Sequence, residues 1–258
     1  MHEMVKDVLG REYSVALENE INKLKQTERM LIGDIVAVVS RSDRFLGRPI
    51  EDCNTKNEAD YVIFKPSKYS IICHKDISVI KNDSSNIKLV SLNYFVDQLL
   101  EFNFTFLQLI LCDGIKYETK EFVKLRKSII KIINENSENF YKKQLSLLCG
   151  VIGDLNKNKF KEDVLKDRVF LVYTVLELSR RFINNREIIP NHLPNDKEYN
   201  RIVSNYNQDI IKELNTKLSN LKDIESKMNF KDKHDYIVQK YMYKYEIMKD
   251  LVLEVLEV

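Results

Sequence analysis

Five consecutive residues, Ile35-Val36-Ala37-Val38-Val39, carry no charge and are mostly β-branched. A run that short and that uniformly apolar predicts a strand buried on both faces, since a strand with one wet face would alternate. The chain must therefore supply covering layers around a sheet, and its 258 residues suffice for one long domain or two small ones.

Upstream, Val8, Leu17, Ile21, Leu24 and Leu31 recur at helical spacing with charges between them. The expectation is a helix from about Val5 to Leu31, ended by Gly33-Asp34. Downstream, a polar loop is expected from Ser40 to Asn57. Asp60-Tyr61-Val62-Ile63-Phe64 reads as a second strand stopped by Pro66, and Ile87-Lys88-Leu89-Val90-Ser91 as a third. Residues 69–80 are mixed and extended. From Leu92 the period changes to helical, with two helices broken near Asn103. After Gly114 the strand signal all but vanishes. Amphipathic stretches follow at 122–133, 140–155, 164–183 and 210–228, and a last one carries Ile237, Tyr241, Met248, Val252 and Val255. The expected class is α+β: a small mixed sheet with flanking helices over residues 1–115, then a helical half over 116–258.

Composition narrows the function classes. Forty-one Lys+Arg against 39 Asp+Glu leave a formal charge of +2, so no overall basic field points to nucleic acid. Cys53, Cys73, Cys112 and Cys149 stand too far apart for a disulfide framework or zinc site. They read as reduced thiols of a cytoplasmic protein. The opening residues lack the layout of a signal peptide, and no apolar run reaches the ~20 residues a membrane span requires.

Three pieces of the first half fall in the order of a known pattern. They are Val38-Val39-Ser40-Arg41-Ser42-Asp43-Arg44-Phe45-Leu46-Gly47, then Ala59-Asp60-Tyr61-Val62, then Asn86-Ile87-Lys88-Leu89-Val90-Ser91-Leu92. Glu101-Phe102-Asn103-Phe104 follows at a helix break, with Tyr117 just beyond. In order and spacing the chain resembles the YcgL-like nucleotidyltransferases of the DNA polymerase β superfamily. That family carries a G-S-R-x-x-G loop, an S-D-Y-D strand and a further acid on the next strand. The resemblance implies a nucleotidyltransferase sheet, a Mg²⁺-dependent transfer and a nucleotide held at the loop. It would suit a phage or mobile-element protein acting on host machinery.

The motifs themselves are degenerate. Transfer in that superfamily uses two divalent cations held by carboxylates, and D-x-D puts two acids on one face of a strand. Here Asp60 stands at the first position, Val62 at the second and the uncharged amide of Asn86 at the third. Glu58, Asp76 and Asp83 lie nearby in sequence without the alternation that would aim them beside Asp60. At the loop, Arg41 replaces the glycine, whose missing side chain allows close approach, while Ser42 keeps the hydroxyl. Two readings of Asp60 stand: a residual catalytic and metal ligand with Asn86, or a strand-end residue. Ser40, Arg41, Ser42 and Arg44 form either a phosphate-binding segment, since guanidinium matches phosphate oxygens, or a solvated loop.

The leading expectation is a nucleotidyltransferase-fold protein, degenerate in catalysis, that binds a nucleotide-like or phosphate-bearing ligand or a protein partner. An active divergent enzyme would require Mg²⁺; otherwise no cofactor is implied. The third possibility is a helical interaction or oligomerisation protein without a ligand. His74, His192 and His234 lack metal-ligand spacing. Lys142-Lys143 and Arg180-Arg181 read as solvated pairs. Tyr236, Tyr241, Tyr243 and Tyr245, with Met242 and Met248, exceed what one buried stripe needs and offer either core packing or a partner surface.

Overall fold

The computed structural model of the chain describes residues 4–6, 12–14, 19, 32–41, 59–67, 79–81, 87–111, 114–157, 168–169, 171–172, 175–176, 201, 208–227 and 233–256. Strands β1 (Met4–Lys6) and β2 (Glu12–Ser14) pair antiparallel with Met4 opposite Ser14. The expected helix from Val5 therefore does not begin there. Its apolar residues before Leu17 are too sparse to hold a helical face against pairing of two short extended pieces.

The central sheet has the order β5-β6-β4-β3-β7. Its strands are β3 (Ile32–Arg41), β4 (Ala59–Pro66), β5 (Val79–Lys81), β6 (Ile87–Ser91) and β7 (Ile115–Glu118). Only the β4–β6 ladder is parallel among these pairings, so the sheet is mixed. The β6 bounds match the expected third strand. Two differences from the sequence reading bear on the site. β3 continues through Ser40 to Arg41, so both belong to a strand, not a loop. A strand also follows Gly114, where none was expected: β7 has only four residues and pairs with β3, too short for alternation to register against the helical pattern around it.

One sheet face, with Ala37, Val39, Ala59, Tyr61, Ile63 and Val90, packs into the main apolar cluster under the helices. The opposite face carries Val38, Val62, Phe64, Ile87 and Leu89. Near Gly33 the β3–β4 ladder is irregular, with register shifts between Ile32 and Ala37. A Cβ at Gly33 would stand 2.6 Å from the Lys65 carbonyl oxygen, so glycine is what permits this close backbone approach.

Helices α1 (Leu92–Leu100) and α2 (Phe104–Leu111) lie on the main cluster. Ser91 caps α1 by accepting from the Tyr94 N–H. The break expected near Asn103 is present. Phe102 takes φ 54°, a conformation costly for a bulky residue. Packing holds it there: its ring stacks on Tyr236 at 5.3 Å and meets Phe140 edge-on at 5.7 Å. Its carbonyl accepts from the buried Gln144 amide at 3.0 Å. Asn103 Oδ1 then caps α2 through the Thr105 N–H.

Helices α3 (Lys120–Glu135), α4 (Ser137–Asn156) and α5 (Gln208–Lys227) build the second half. Leu148, Ile152, Leu214 and Leu218 share a cluster with Val169, Val172, Val175 and Leu176, helical residues within the expected 164–183 stretch. Helix α6 (Lys233–Leu256) docks on α1: the Tyr236 hydroxyl donates to the Leu100 carbonyl, and Lys240 and Lys244 pair with Glu101 and Asp97 at 2.9 and 2.7 Å. The class is α+β, a mixed sheet with flanking helices and a helical C-terminal half, as the sequence implied.

Candidate functional site

The carboxylate strand puts Asp60 one residue inside β4, opposite Ser40 of β3 and Ile87 of β6. Side chains alternate along a strand, so Asp60 has the parity of Val62 and Phe64, and Ser40 that of Val38. Asp60 and Ser40 thus stand at one end of the sheet, on the face that carries the smaller apolar cluster.

The partner of Asp60 comes from the unexpected strand. The β3–β7 register runs Val38 opposite Tyr117, then Val39 opposite Ile115, which leaves Lys116 as the extra residue of a bulge. A bulge re-aims a side chain relative to the regular pleat. The Lys116 ammonium reaches across β3 and donates to both Asp60 carboxylate oxygens, at 2.7 and 2.9 Å. Ser40 occupies the intervening strand, its N–H donating to the Gly114 carbonyl at 2.7 Å. The Asp60 side chain keeps 21% of its surface exposed and that of Lys116 43%. The pair is open to solvent on one side.

Val62, at the second acid position of the D-x-D pattern, is 0% exposed and belongs to the apolar cluster of that face. A carboxylate there would be buried against Phe64 and Leu89, at a desolvation cost. A tyrosine-lysine contact lies on the other face, where Lys88 sits 5.1 Å from the centre of the Tyr61 ring and donates to its hydroxyl at 3.2 Å. Among the described residues, no group of three or more His, Cys, Asp or Glu is placed to share a metal ion.

The structure thus brings Asp60 and Ser40 together and ends β3 at Arg41. Ser42, Arg44 and Asn86 lie outside the described residues, as do Glu58, Asp76, Asp83, His74, His192 and Arg180-Arg181. Lys142 and Lys143 are exposed on α4. Lys116 is the site residue that sequence reasoning missed. No sequence signal marks it, because its relation to Asp60 spans 56 residues and depends on a bulge.

A separate groove of about 410 Å³ lies between α3 and α6, with Lys120, Lys124 and Lys131 facing Glu121, Glu135 and Glu246. Glu121 is held below the usual carboxylate range: burial opposes this, but hydrogen bonds from its own backbone and Thr119 outweigh it, with help from Lys65 and Lys124. Three acids balance three lysines here, and the groove does not include Asp60 or Lys116.

No protein-family model and no curated protein matches the chain. Among solved structures, it is similar to a nucleotidyltransferase-like protein from Exiguobacterium sibiricum 255-15 at 9% identity, over 91% of this chain and 80% of that one, with a TM-score of 0.32. A likeness that distant carries no argument about chemistry. None of the described helices is long and apolar enough to cross a membrane.

Proposed function

We propose that this chain is a nucleotidyltransferase-type protein that binds a phosphate-bearing, nucleotide-like ligand without transferring it. The observation that supports this reading is the state of the carboxylate strand. Asp60 has both oxygens engaged by Lys116, and the next position on that face is a core valine. Two-metal transfer needs several carboxylate oxygens converging on cations. Asp60, paired with Lys116, and the buried Val62 do not fit that requirement.

Binding asks for less. An ammonium has three donors, and Lys116 spends two on Asp60, leaving one for a phosphate oxygen at the open side. Ser42 and Arg44 follow β3 in the sequence, and their hydroxyl and guanidinium are groups that bind phosphate.

A thermal-shift panel of nucleoside mono-, di- and triphosphates, with and without Mg²⁺, tests the reading. Stabilisation follows RT ln(1 + [L]/Kd), about 2.7 kcal/mol at a hundredfold excess over Kd. The expected result is a rise in Tm that grows with phosphate number, persists without Mg²⁺ and shrinks in Lys116→Ala. A flat panel overturns the proposal. So does Mg²⁺-dependent nucleotide transfer that disappears in Asp60→Ala.

A further inference from the structure

Helix α1 ends in a Schellman turn. The Phe102 N–H donates to the Leu99 carbonyl and the Asn103 N–H to the Gln98 carbonyl, both at 3.0 Å. Phe102 thereby takes the first position past the helix cap, which demands φ > 0 and is filled most often by glycine. With φ 54° and a bulky side chain, the turn is strained by itself, and contacts from elsewhere must offset that strain.

Two helices supply those contacts. From α4 come the Phe140 ring, edge-on at 5.7 Å, and the Gln144 amide, which donates to the Phe102 carbonyl at 3.0 Å. From α6 comes Tyr236, whose ring stacks on Phe102 at 5.3 Å. Its hydroxyl donates to the Leu100 carbonyl, in the last turn of α1, where carbonyls lack helical partners. Lys240 and Lys244 of α6 pair with Glu101 and Asp97 beside it. The fastening of α6 to α1 is thus concentrated on the strained turn.

We infer that α6 is a strap, and that its docking and the closure of the α1–α2 turn form one two-state unit that opens without unfolding the rest of the chain. The hold of the strap is thin. Among the described residues of α6, Ile247 is the one buried apolar side chain, with Tyr236, Tyr243 and Met248 partly buried. Segments with few buried contacts open locally. The two ion pairs to α1 leave 23–48% of each side chain exposed, so they add little, and less at high salt. When the strap lifts, Phe102 loses the stacked ring that helps offset its backbone, only the α4 contacts remain, and the turn relaxes. When the turn relaxes, the strap loses the ring and the carbonyl on which Tyr236 docks. The two events reinforce each other, as a bistable element requires.

Amide-resolved hydrogen exchange on the full chain tests the coupling, with circular dichroism checking that each variant folds. In the wild type, Asn103 in the turn and Met242 in α6 should share one opening equilibrium and one response to added salt. Both should exchange about tenfold or more faster than Leu148 and Ile152 in α4. Lys240→Ala removes an exposed ion pair and should speed Asn103 and Met242 by the same factor, up to about fivefold. Phe102→Gly and Phe102→Ala both delete the stacked ring, but only glycine adopts φ > 0 unaided. Both should speed Met242 by about tenfold. Asn103 should follow it in Phe102→Ala, and should fall behind it and stay protected in Phe102→Gly. Where a Phe102 variant does not fold, Lys240→Ala still decides. Asn103 unmoved by Lys240→Ala, Asn103 as fast as Met242 in Phe102→Gly, or both exchanging only as slowly as α4 would overturn the inference.

Discussion

Replacing Asp60 by asparagine separates the two roles open to it, because they predict opposite signs. In the binding reading, Asp60 holds Lys116 and competes with the ligand for its ammonium. At 2.7–2.9 Å the gross attraction is several kcal/mol for an effective dielectric of about 20. With the two side chains 21% and 43% exposed, solvent screening and side-chain ordering reduce the net to about 1 kcal/mol or less. Asp60→Asn should thus lower Tm by no more than ~2–4 °C. The released ammonium should tighten triphosphate binding by up to about fivefold, the equivalent of that energy. Isothermal titration of wild type and variant at matched ionic strength measures this, and the gain should fade at high salt. In the enzymatic reading Asp60 is a cation ligand, and the same change should abolish Mg²⁺-dependent binding. Loss of triphosphate affinity in Asp60→Asn, with Tm preserved, refutes the competition argument.

Two further outcomes concern the scaffold. Gly33→Ala should destabilise the sheet by ~1–3 kcal/mol, since the added Cβ meets the backbone carbonyls of Lys65 and Pro66 at 2.6 and 3.1 Å, groups that cannot rotate away; urea unfolding would read it, and an unchanged midpoint would contradict the close approach. Glu213 on α5 accepts from both Arg201 nitrogens at 2.8 and 2.9 Å; those hydrogen bonds, with Lys217, hold its pKa at about 2 instead of 4.5. A depressed carboxylate pKa stabilises the fold fully above the unfolded value, and that contribution is lost as pH falls from about 4.5 through 2. A third of the carboxylate side chain is exposed, so the contribution is about 1 kcal/mol or less. Glu213→Gln should flatten this part of the Tm-versus-pH curve while leaving the other acid transitions in place.

The amino-acid sequence by itself determined the elements whose signals are local and strong. The charge-free run at 35–39, the alternation at 87–91 and the helical periods from Leu92 onward each state their structure within a few residues, because side-chain period follows backbone geometry. The break before α2 was legible from the loss of period, although its cause was not: Phe102 holds a left-handed turn because Tyr236 and Phe140, far along the chain, pack on its ring. The β1–β2 pair and β7 were illegible for the same reason, since strands of three and four residues draw their stability from a partner rather than from their own pattern.

The site divides in the same way. That Val62 interrupts the acid alternation is written in the sequence. That Asp60 is engaged is not, because its partner arrives on a bulged strand 56 residues away. The tyrosines of α6 show the division most plainly: their number signalled more apolar surface than one stripe could bury. Only the docking of α6 on α1 through Tyr236, Lys240 and Lys244 decided that the rings of Tyr236 and Tyr243 pack on the core while those of Tyr241 and Tyr245 stay exposed.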